Sequence, residues 1–227
     1  MRRFRSDIPP NVVEQTTREF RREGGAIYHR LTDCILDGEV VGRRAYSEEG
    51  QLVTESPLRN GLRHGREFQW DDDGTLLSIE PYVNGRVHGT AKQYGRRGKI
   101  IGTYELRHGT GYDIWRQENE DGSIYISEIH TLRNGLPHGY EWWLTDKPHV
   151  VSHELHWHEG EYHGIERQWN LANKLRRGFP QYWINGSRVT KPKYLQAAKN
   201  DPTLPPFREK DNSPRRKFPL EIEQLFS

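Results

Sequence analysis

Histidine is the residue whose type and spacing most invite chemistry in this chain. His64, His88, His138 and His163 each stand one place before a glycine, within Asn60-Gly61-Leu62-Arg63-His64-Gly65, Asn84-Gly85-Arg86-Val87-His88-Gly89, Asn134-Gly135-Leu136-Pro137-His138-Gly139 and Glu159-Gly160-Glu161-Tyr162-His163-Gly164. Imidazoles aligned in successive units could bind a metal or an anion. The competing reading is that each closes a turn, packing on the next unit or bonding a backbone carbonyl. Degenerate copies favour the second reading. Val41 precedes Gly42 and Thr110 precedes Gly111, replacements that a shared ligand set would not tolerate. A denser group is His153-Glu154-Leu155-His156-Trp157-His158. On a strand His156 and His158 share a face, and His153 lies on the other. With a carboxylate such as Glu161 this pair could begin a zinc site. Real sites need three or four converging ligands and outer support, which this spacing does not supply.

Other chemistry is thinner. There is no nucleophile elbow and no phosphate-cradling loop, and His153-Glu154 lacks the second histidine of an HExxH site. Cys34 is the single cysteine, so no intramolecular disulfide exists, and its setting reads as a small buried hydrophobe before a nucleophile. Asp71-Asp72-Asp73-Gly74 resembles part of a calcium loop without the later ligands, and reads as a solvated turn. The chain is therefore expected to be no enzyme, with no cofactor.

The elements that must position these residues come from a repeat. The turn glycines Gly38, Gly61, Gly85, Gly109, Gly135, Gly160 and Gly186 are separated by 23, 24, 24, 26, 25 and 26 residues. A second landmark falls between them: Asp73-Gly74, Arg97-Gly98 and Asp121-Gly122, weakening to Lys147-Pro148 and Asn173-Lys174. Asn-Gly and Asp-Gly adopt positive φ readily and are strong hairpin signals. The segments between, such as Gly65-Arg66-Glu67-Phe68-Gln69-Trp70 and Gly122-Ser123-Ile124-Tyr125-Ile126, read as strands of about five to seven residues. Two places before each Asn-type position stand Ile35, Leu58, Tyr82, Leu106, Leu132, Trp157 and Trp183, which should point one way and stack as a ladder.

Composition fits a thin structure. Hydrophobic residues make up 33% and charged residues 29%, with mean hydropathy −0.99. Disorder would follow from that, were it not for seven tryptophans and regularly placed glycines. Residues 26–186 carry 19 basic and 23 acidic groups, so the body lacks the footprint of a nucleic-acid binder. No stretch approaches the roughly 20 apolar residues of a membrane helix, and the start lacks an apolar run, which makes the cytoplasm the expected address. Three regions are expected: an N-terminal flank (1–27) with a short helix from Asn11 to Glu23, repeats over 28–190, and a Pro-rich charged tail (191–227). In the tail, Tyr194 to Lys199 looks helical and Phe218 to Phe226 short and amphipathic, suited to cap the open end of the sheet.

The Asn-Gly-x-x-His-Gly turns, the aromatic about five residues on and the following Asp-Gly resemble bacterial MORN repeats of the YwqK-type antitoxin kind, over roughly residues 28–186. The resemblance implies an all-β, single-layer solenoid of stacked antiparallel hairpins. For some members it implies an antitoxin or immunity role, and for eukaryotic relatives a scaffold or membrane-associated one. It transfers no catalytic residue.

Function is then expected in surface. Aromatics beyond one ladder (Trp70, Tyr94, Trp115, Tyr125, Trp142, Trp143 and Trp169) are candidate partner anchors, since tryptophan is favoured at interfaces. Adjacent Trp142 and Trp143 must point to opposite faces, and the terminal segments are the competing cover for either. The expected function is a protein-binding module that blocks a partner such as a toxin. The alternatives are a membrane-surface scaffold, disfavoured by the acidic body, and a metal-dependent hydrolase built on the histidines.

Overall fold

The computed structural model describes residues 5–21 and 27–226. They form two compact units, Met1–Gly109 and Thr110–Ser227, whose boundary falls in the degenerate turn His108-Gly109-Thr110-Gly111. Each unit is built on an open antiparallel sheet of successive hairpin strands. In the first, Val13–Arg21, Ile27–Leu36, Glu39–Ser47, Leu52–Arg59, Gly65–Trp70, Leu76–Val83, Gly89–Tyr94 and Ile100–Arg107 pair in chain order. In the second, Thr110–Glu118, Ile124–Arg133, Leu136–Leu144, Val151–His158, Gly164–Gln168, Gln181–Ile184 and Ser187–Val189 do the same.

The Asn-Gly dipeptides do what their chemistry favours. Asn60 and Gly61 have φ of 52° and 75°, the two positive values of a tight hairpin turn whose twist matches that of its strands. The opposite turns close on themselves with one recurring bond: Ser47 N–H to Gln51 O, Asp71 to Thr75, Gly95 to Lys99, Asn119 to Ser123 and Asn170 to Lys174. The turn read at Lys147-Pro148 is longer. There Thr145 N–H reaches Val150 O, and the positive φ sits at His149.

The repeated histidines bind neighbouring turns together. The N–H of Gly85, Gly109, Gly160 and Gly186 donates to the carbonyl of Arg63, Val87, Pro137 and Tyr162, the residue before each motif histidine. The imidazole Nδ1 then accepts the next backbone N–H along: His88 from His108 at 3.1 Å, His138 from Glu159 at 3.3 Å, His163 from Asn185 at 3.2 Å. His64 Nδ1 instead lies 3.4 Å from Asn84 Oδ1. Thr110, read from sequence as a lost copy, accepts the N–H of Asn134 through its hydroxyl at 3.0 Å. A hydroxyl oxygen and an imidazole nitrogen are both acceptors, so the replacement preserves the bond.

The expected N-terminal helix is a strand instead. Val13–Arg21 pairs with Ile27–Leu36, while Arg22 and Glu23 lie outside the described residues. Val13, Thr16, Thr17 and Phe20 fit a pleated surface, and the free edge of the next strand satisfies their backbone, which outweighs a weak helical preference. Glu14 from this strand pairs with Arg44 at 2.6 Å. Ahead of it, Asp7 accepts Arg66 N–H at 2.7 Å and Ile8 is buried where a Cβ on Gly42 would collide with it.

The tail contains the helix Lys191–Ala197 and a last short turn Leu220–Glu223. It packs on one face of the sheet. Phe218 packs edge-on against Trp142 at 5.1 Å between ring centres, and Tyr194 joins Ile165, Tyr182 and Leu204 in a buried cluster. Arg215 forms an isolated bridge with Val150, and Arg216 N–H donates to His149 O. Among the described residues no helix is long and apolar enough to cross a membrane.

Candidate protein-binding face

Strand alternation sorts the side chains of the unit Thr110–Ser227 onto two faces. The register pairs Ile129 with Trp142, Trp142 with Glu154 and Glu154 with Arg167, placing these four on the tail-covered face. Glu154 is buried there, with Arg167 Nη1 at 2.8 Å, Arg216 Nη2 at 2.9 Å and the Trp142 indole N–H at 2.9 Å. Burial opposes its charge, but the two guanidiniums hold its carboxyl below the usual range. Trp169 is buried too, its indole N–H donating to Asn212 O at 2.7 Å.

The other face carries the ladder. Trp115, Glu128, Trp143 and His153 stand opposite one another across successive strands, and the pairs Gly139–Trp157 and Gly164–Trp183 put two ladder tryptophans beside Glu141 and Glu166. Here the carboxylates hold the indoles by their edges. Trp143 and Trp157 both donate to Glu141, at 2.8 and 2.9 Å, and Trp183 donates to Glu166 at 3.0 Å. His130 lies between Glu128 at 3.1 Å and Glu141 at 3.4 Å. Burial disfavours the His130 charge, but the two carboxylates outweigh it and raise its pKa to about 10, so it is an imidazolium at neutral pH. Trp143 remains 42% exposed.

The candidate anchors therefore divide. Trp142 and Trp169 lie beneath the tail, Tyr94 is buried with Phe68, Leu76 and Ile79, and Trp70 is half-buried against that cluster. Their rings are engaged in packing within the two units, which leaves them less area to offer a partner than Trp143 has. Tyr125 is half-buried, with its hydroxyl on Gln117 at 2.7 Å, and Trp115 is half-buried on the ladder face. Trp143 alone of these seven is both large and exposed.

The remaining polar candidates have structural partners. His153 pairs with Glu166 at 3.0 Å, His156 Nδ1 lies 2.6 Å from His163 O, and the His158 ring packs between those of His138 and His163. Among the described residues no three His, Cys, Asp or Glu side chains are grouped as a metal would require. Cys34 is fully buried, which pushes its thiol up to about 11 and keeps it protonated. Asp73 accepts Thr75 N–H at 2.8 Å within its turn.

Sequence reasoning missed the carboxylates. Glu67, Asp113, Glu141 and Glu166 all stand two residues after the second glycine, a recurrence as regular as the histidine's. Comparison with known proteins returns neither a matching family model nor a matching curated protein.

Proposed function

We propose that this chain is a non-enzymatic protein-binding module of stacked MORN-like hairpins, and that it grips its partner with the ladder face of the unit Thr110–Ser227. The carrying observation is Trp143: 42% exposed, tethered through its indole to Glu141, on the face opposite the tail. A large ring already fixed by a hydrogen bond loses little freedom on association and contributes much buried area, which is the character of an interface anchor. The turn bonds recurring from His88, Thr110, His138 and His163 support the stacked-repeat reading, since each joins one hairpin to the next.

Affinity capture from host cells tests this with two variants. A protein retained by the native chain and by Leu171→Ser, at a fully exposed turn, but lost with Trp143→Ser, is the expected result. Equal retention by both variants refutes the face. The narrower antitoxin reading fails if a co-expressed partner toxin stays fully active.

A further inference from the structure

The unit Met1–Gly109 contains a filled version of the same site. The Arg63 guanidinium lies 4.0 Å above the Tyr82 ring, its Nη1 donates to the Tyr82 hydroxyl at 2.7 Å, and it pairs with Glu67 at 3.3 Å. Three repeat positions define this arrangement. One is the residue paired with its own hairpin's ladder side chain, here Arg63 with Leu58. The second is the carboxylate four residues on, and the third is the ladder ring of the following hairpin.

In the unit Thr110–Ser227 the same positions are occupied by Pro137, which pairs with Leu132, by Glu141 and by Trp157. Ring and carboxylate are in place, but the first position carries no cation; the positive charge beside Glu141 is His130, on the neighbouring strand. One hairpin further on the set is Tyr162, Glu166 and Trp183, where the Tyr162 ring fills the cation's position 5.2 Å from Trp183. Pro137 thus marks the repeat in which carboxylate and indole stand in place with neither a guanidinium nor an aromatic ring at the first position.

We infer that the site framed by Pro137, Glu141, Trp143 and Trp157 receives an arginine side chain presented by the partner protein. This rests on the reading of the ladder face as the binding surface. The geometry suits the ligand. Glu141 fixes two indoles by their edges, Tyr162 backs Trp157 at 4.3 Å, and the exposed Trp143 offers a second ring. A planar guanidinium stacks on an indole and directs its fork at a carboxylate, which an ammonium cannot do as well. Charge agrees. Glu128 and Glu141 flank His130 at 3.1 and 3.4 Å, and Asp113 stands opposite it in the register, so carboxylates outnumber the one imidazole among these four groups.

The test uses the full chain and the blocked peptide acetyl-Gly-Arg-Gly-amide, read by NMR on the indole N–H signals. The Trp143 and Trp157 signals should shift saturably. The citrulline peptide, isosteric but neutral, should bind roughly tenfold more weakly or worse. Pro137→Arg should fill the site from within, as Arg63 does, and abolish the shifts while the rest of the spectrum stays native. Equal shifts with both peptides, no shift with either, or undiminished binding by Pro137→Arg overturns the inference. If partner capture requires Trp143 yet the arginine peptide neither binds nor competes, the inference falls and the binding face stands. If capture ignores Trp143, both fall.

Discussion

The imidazole of His163 accepts the backbone N–H of Asn185 through Nδ1 at 3.2 Å, while its Nε2 lies 2.9 Å from the Thr203 hydroxyl. One ring thereby ties the last Asn-Gly turn to the tail. An accepting Nδ1 must carry no proton, so the ring serves this purpose only when neutral. At His88, His138 and His163 the motif imidazole serves as an acceptor, and that property explains the replacement by Thr110.

Thr110 shows that a hydroxyl can substitute. His138→Ala should therefore cost about 1–2 kcal/mol, the loss of an acceptor for the Glu159 N–H, whereas His138→Thr should recover part of that loss. Urea unfolding of the two variants decides it. Equal destabilisation would show that ring packing, and not the hydrogen bond, holds the turn.

Stability should fall on both sides of neutrality for different histidines. Burial keeps His138, His156 and His163 below the ordinary value of 6.5. Their contribution is present above that pH and lost as pH falls, because the unfolded chain takes up protons first. His130, raised to about 10, works the other way: its contribution is whole below 6.5 and drains as pH rises towards 10. Urea midpoints measured across roughly pH 5 to 10 should show both limbs, and His130→Gln should flatten the alkaline one.

Arg216 should matter more than a surface arginine. It comes from the tail to a buried Glu154 already bonded to Arg167 and Trp142. Arg216→Ala leaves that carboxylate short of a partner and should cost about 3–5 kcal/mol. Removing residues 200–227 also uncovers Trp142 and should drive aggregation, visible by light scattering. A truncated chain that stays monomeric would show the covered face to be stable on its own.

Glu159 holds a φ of 49°, where the best copies of the repeat have asparagine. Asparagine tolerates the left-handed region better than glutamate, and the N–H given to His138 belongs to the backbone. Glu159→Asn should stabilise the protein by about 0.5–1 kcal/mol, raising Tm by about 1–4 °C.

The turns and the ladder were legible because positive φ restricts which residues can stand there, and alternation carries that register along each strand. Other features had no local signature. The strand at Val13–Arg21 depends on a partner edge, which its own residues do not announce. Alternation separates Trp142 from Trp143, but which one is covered depends on Phe218, far along an aperiodic tail. Glu141 escaped notice because charge on a strand normally reads as solvent-facing. Here it is largely buried and bonded by two indoles.

The two edges of these hairpins are under different constraints. On one, each turn from Asn60-Gly61 onward is bonded to the next, so a residue gained or lost there would shift two hairpins at once. On the other, each turn closes on its own bond and can change length alone. The departure at Thr145–Val150 shows what such freedom yields, since His149 and Val150 in that enlarged turn are where Arg215 and Arg216 land. New contacts can be recruited along this variable margin while the bonded margin preserves the spacing of everything else.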